Sequence, residues 1–115
     1  MTKKRIAEIY RFLASASMKR MNDEEKIALI RLLRAMKPVF TEIQDAMNDA
    51  LEKAKADMDD ESHIVEFINM ATEDLSGQTC EIVTRIMTAE SFDHLCLSND
   101  WTFAQIDELE AVLVK

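Results

Sequence analysis

Apolar residues recur every three or four positions along most of this chain, which is the spacing of an α-helix with one buried face. A first helix is expected over about residues 3–18. Ile6, Ile9, Tyr10, Leu13 and Ser17 share one face of it, and Lys3, Lys4, Arg5, Glu8 and Arg11 take the rest. Residues 15–22 read as a fraying end and a turn. Asn22 then stands three residues before Glu25, the pattern of a capping box. Asp23 and Glu24 suit the positive end of a helix dipole.

From Asn22 a helical pattern runs to about Ala56. Leu29, Leu33, Met36, Phe40, Ile43, Met47, Ala50 and Ala54 alternate spacings of four and three along it. Such a seam, about three and a half heptads long, is what coiled-coil packing requires. Pro38 lies inside the run. A proline removes a backbone donor and disfavours helix at the residue before it, so two helices meeting at Pro38 compete with one kinked helix. The spacing keeps its phase across Pro38, and Pro38 lies off the seam. The pattern therefore predicts one long kinked helix.

Asp57-Met58-Asp59-Asp60-Glu61 reads as an acidic turn, and Ser62 as the cap of a third helix with Ile64, Ile68, Ala71 and Leu75 buried. Gly77 suits the position just past its end. Residues 79–87 are rich in β-branched side chains and form a possible short extended segment, with no second strand candidate in the chain to pair it. A helix over about 89–97 should bury Phe92, Leu95 and Cys96. After a turn at Asn99-Asp100, Thr102 and Gln105 make a second capping box, opening a helix with Phe103, Ile106, Leu109 and Leu113 on one face. The expected fold is one domain over residues 1–115, all-α or nearly so, with about five helices around the long one.

Composition supports this reading and narrows function. One glycine and one proline in 115 residues suit helices and starve loops and sheets. A phosphate-cradling loop needs several glycines, so Walker A, dinucleotide-binding and kinase glycine motifs are excluded, as is a Gly-x-Ser-x-Gly nucleophile elbow. No apolar run approaches the ~20 residues of a membrane span. Without a secretory pattern after Met1, and with only Cys80 and Cys96, a cytoplasmic protein with two reduced thiols is expected.

Charge is uneven. Net charge is −8, yet residues 1–40 carry ten basic and four acidic side chains, and residues 41–115 carry four and eighteen. The basic end offers Lys3, Lys4, Arg5, Arg11, Lys19, Arg20, Arg31 and Arg34 as a candidate surface for an acidic partner, or for copies stacked head to tail.

No cluster has the marks of catalysis. Asp57, Asp59 and Glu61 match the first positions of an EF-hand loop, but Ser62 replaces its glycine and Ile68 its bidentate glutamate. His63 with Glu66 has metal-ligand spacing on a helix but lacks the partners a di-iron site requires. His94, Cys96 and Cys80 lack a fourth zinc ligand. Neither a metal nor a cofactor is expected.

Arg31-Leu32-Leu33-Arg34-Ala35-Met36-Lys37-Pro38-Val39, Ser91-Phe92-Asp93-His94-Leu95, Asn99-Asp100-Trp101-Thr102 and Gln105-Ile106 together resemble stretches of small uncharacterised helical proteins from phages and prophages of gut bacteria. The resemblance implies contact with other proteins in assembly or in a virion, and no enzymatic residues. The expectation is a non-enzymatic helical interaction protein, oligomeric or docked on a protein partner through Leu29, Leu33, Met36, Phe40, Ile43 and Met47. A nucleic-acid-binding module using the basic N-terminal third, and a small metal- or thiol-dependent enzyme, are the alternatives.

Overall fold

A computed structural model describes residues 1–57 and 61–115. The order is α1 (Lys3–Leu13), α2 (Asp23–Asp57), α3 (Glu61–Gly77), α4 (Ala89–Leu97) and α5 (Phe103–Leu113), and no strand forms among the described residues. The chain is all-α, as its periodicity predicts. Contacts gather into two compact units: Met1–Arg11 with Met36–Glu81, and Phe12–Ala35 with Ile82–Lys115.

α2 is continuous for 35 residues, about 50 Å at 1.5 Å per residue, and Pro38 lies inside it. Pro38 is on the exposed side. The carbonyl one turn back that loses its donor is therefore within reach of water, and no buried polar group is stranded. At the start of α2 the capping box forms: the Glu25 backbone N–H donates to Asn22 Oδ1 (2.8 Å), and the Asn22 N–H donates to Glu25 Oε1 (2.9 Å).

The buried stripe of α2 is rotated from the expected seam. Leu29, Met36, Ile43, Ala50 and Ala54 are buried as anticipated, but their companions are Leu32 and Val39. Leu33 and Phe40 are half-buried and Met47 is exposed. At 100° per residue, Leu33 and Phe40 lie about 60 to 80° from the centre of the buried face. The four-three spacing is the same whichever flank is chosen, so spacing alone could not select between them.

In the first unit α1 buries Ile6, Ala7 and Ile9, and the Tyr10 and Phe40 rings meet at 4.8 Å between centroids. The start of α1 is held from two sides. The Lys3 ammonium lies 2.9 Å from a Glu42 oxygen and donates to Gln78 Oε1 at 3.0 Å. The backbone pairs as well: Lys3 N–H donates to the Gln78 carbonyl and Cys80 N–H to that of Met1. On α3, Ile64, Ile68 and Leu75 are half-buried and Ala71 is exposed, contrary to the expected stripe; Thr72 is buried instead, its hydroxyl donating to the Ile68 carbonyl at 2.8 Å. Gly77 ends the helix from inside it without a positive φ, so no left-handed cap forms there.

In the second unit Leu13, Met21, Leu29, Leu32, Met87, Phe92, Leu95, Leu109 and Leu113 are buried. α1 stops at Leu13, five residues short of expectation, because Asn99 takes the chain that follows. Its Oδ1 accepts from the Ser17 N–H (2.8 Å), and its Nδ2 donates to the Ser17 and Leu95 carbonyls (2.8 and 2.9 Å). The Arg20 N–H donates to Ser98 Oγ at 2.9 Å. Backbone groups that an extended α1 would have satisfied internally are thus satisfied by the end of α4. Phe12 stacks obliquely on Trp101 at 5.1 Å. Thr88 caps α4, and Thr102 with Gln105 caps α5 as its spacing predicts.

Residues 79–87 form no strand. Each end makes one isolated bridge, Thr79 antiparallel to Thr2 and Met87 parallel to Val114. The expected burial of Phe103 is also corrected, since that ring is 82% exposed. Leu109 and Leu113 set the inward face of α5, and Phe103 at the first turn lies about 90° from it.

Candidate functional site

The first unit contains an open groove of about 700 Å³. Thr2 and Lys4 at the start of α1, Ile43 and Met47 of α2, and Met70, Thr72 and Glu73 of α3 line it. Helical spacing explains the apolar part: Ile43 and Met47 are one turn apart on α2. Met47 is 40% exposed and Met70 is 70% exposed. Methionine is unbranched and polarizable, so two half-free methionines make a surface that adapts to the shape of an apolar guest. A mixed rim of Lys4 and Glu73 gives that surface a polar edge.

The six seam residues separate into three sets. Leu29, Met36 and Ile43 are buried by the chain itself, although Ile43 reaches the groove; Leu33 and Phe40 are half-buried; Met47 is open. The part of the seam left accessible is therefore its flank, and Met47 above all. Met70 was not singled out by the sequence. The available signal was an apolar residue out of register with Ile64, Ile68 and Leu75 on its own helix.

The basic candidates fall in both units. Lys3, Lys4, Arg5 and Arg11 are in the first, and Lys19, Arg20, Arg31 and Arg34 in the second. Lys3 is engaged by Glu42 and Gln78, and Arg5 lies 3.8 Å from Glu8 one turn along α1. Lys4, Arg11, Lys19, Arg20, Arg31 and Arg34 are exposed.

The second unit holds a polar node that spacing could not reveal. His94 Nδ1 on α4 lies 3.0 Å from both carboxylate oxygens of Glu25 on α2. Glu25 is held down to about 2, first by the hydrogen bond from the Asn22 backbone, then by Ser91 and by His94. His94 is raised above its ordinary value chiefly by its hydrogen bond to Glu25, against a smaller opposing effect of burial. Every part of this pair has a partner that explains it structurally: it ties the cap of α2 to α4.

Cys80 and Cys96 are both free thiols, in different units. Burial pushes the Cys96 thiol up, helped by the Asp93 and Glu110 carboxylates. That is the opposite of what a thiolate nucleophile needs. Among the described residues, no three His, Cys, Asp or Glu side chains gather where a metal ion could be held. Asp59 and the side chains of Asp57, Glu61, Ser62 and His63, on which the EF-hand match rests, lie outside what is described; α3 begins at Glu61, so Ser62 stands within the helix and not before it as a cap. Among the described residues, no helix is long and apolar enough to cross a membrane.

Comparison with protein-family models gives no match, and neither do comparisons with curated proteins or with solved structures.

Proposed function

We propose that this protein is a non-enzymatic helical assembly factor that associates with copies of itself through the groove of its first unit. The observation that carries the reading is the open groove itself, with Met47 and Met70 exposed along an apolar line that continues from buried Ile43. Scattered apolar residues on a surface need no explanation, but two methionines lining one concavity beside an apolar wall do. The phage and prophage resemblance supports the same kind of work, contact between small structural components. Capsid, portal or tail genes beside this one would add to that support, and a setting among unrelated metabolic genes would remove it.

Sedimentation at micromolar concentrations tests the reading. The protein should associate reversibly as concentration rises. A Met47→Glu/Met70→Glu variant should remain monomeric while keeping the helical circular dichroism of the parent, because both side chains are exposed. A parent that stays monomeric throughout, or a variant that associates as the parent does, refutes the reading.

A further inference from the structure

We infer that the groove's occupant is the basic outer face of α2 from a second copy, so that copies join head to tail. This rests on the self-association proposed above and adds which surface meets which. The acceptor side is acidic. α3 has no lysine or arginine in its seventeen residues, and Glu73 lines the groove next to exposed Asp74. The donor side lies in the other unit, on the first turns of α2. Ile27, Arg31 and Arg34 are spaced four and three apart, so they share one face, and all three are exposed. Ile27 is 48% exposed, an apolar knob with guanidinium groups one and two turns further on.

The two surfaces match in chemistry. An isoleucine suits a lining of Ile43, Met47 and Met70, which can shape itself around a branched side chain. Arginine presents a planar fork that carboxylates accept in pairs, so Arg31 and Arg34 suit Glu73 and Asp74. Lys4 also lines the groove and is complemented by exposed Glu24, one turn before Ile27. The uneven charge along the chain thereby gains a use: each copy carries one surface of either sign. Because the two surfaces differ, one contact between two copies leaves one surface of each kind for a further contact.

The experiment is sedimentation of the whole chain with charge-reversed variants. At low salt the parent should associate, and raising salt to about 0.5 M should weaken association by roughly tenfold or more. Arg31→Glu/Arg34→Glu alone, and Glu73→Arg/Asp74→Arg alone, should each lose association by at least about tenfold. Mixing the two should restore it, since each then meets its opposite. Ile27→Ser should weaken it by about ten- to a hundredfold. All of these positions are exposed, and unchanged helical circular dichroism checks the fold. Association that survives both reversals, or that is insensitive to salt, overturns the head-to-tail mode while self-association stands. A parent that never associates removes both.

Discussion

Replacing Glu25 with glutamine removes one charge and little else, which makes it the sharpest probe of how the second unit is held. Glutamine can fill the same place in the capping box, so the bonds with Asn22 survive. What is lost is the charged partner of His94, 3.0 Å away. Taken undiluted, a displacement of the Glu25 carboxyl from 4.5 to about 2 would correspond to roughly 3 kcal/mol, at about 1.4 kcal/mol per pH unit. Two facts reduce that figure. Its largest cause is the Asn22 backbone bond, which glutamine keeps in neutral form, and the His94 side chain is 34% exposed, so solvent screens the pair. The expected loss near pH 5.5 is therefore about 1 to 2 kcal/mol.

The pH dependence gives the test its force. Glu25 is depressed on folding, so its contribution is present above 4.5 and is lost as pH falls toward about 2. His94 is raised on folding, so its contribution is full below 6.5 and is lost as pH rises through its folded value. The gap between parent and Glu25→Gln in urea unfolding should be widest between 4.5 and 6.5, close on the acid side, and narrow on the alkaline side as His94 loses its proton. By proton resonance, the His94 ring should titrate lower in the variant than in the parent. An equal gap across the whole range, or an unmoved His94 titration, would refute the assignment of this pair.

Other substitutions test the fold element by element. Met36→Ala opens a cavity at a side chain with no exposed surface and should cost about 2 to 5 kcal/mol in urea unfolding. Pro38→Ala restores a helical donor on the exposed side of α2; it should raise stability by about 1 to 2 kcal/mol, the gain offset in part by a looser unfolded chain. Thr102→Ala removes the α5 cap and should cost about 1 kcal/mol, visible as a lower thermal midpoint. Gly77→Ala meets no atom within 4 Å and needs no left-handed backbone, so it should be neutral or stabilise by about 0.5 kcal/mol.

What the sequence made legible and what it did not divide along a physical line. Features set by near neighbours were readable: the capping pairs at Asn22–Glu25 and Thr102–Gln105 form as spaced, and α2 runs through Pro38 because a proline facing water strands nothing buried. Features decided by distant parts of the chain were not. Ser17 carries the right spacing to extend α1, yet Asn99, more than eighty positions away, takes its backbone and ends the helix. Leu32 and Leu33 are equivalent by spacing, and only the neighbours of α2 choose Leu32 for burial. The candidate groove belongs to the second class. Met47 lies on the seam by periodicity and Met70 lies off its own stripe, and only the fold places both along one concavity. Met36 and Met47 sit on the same seam, yet Met36 is buried and Met47 is 40% exposed, so a fit to the pattern does not by itself decide burial.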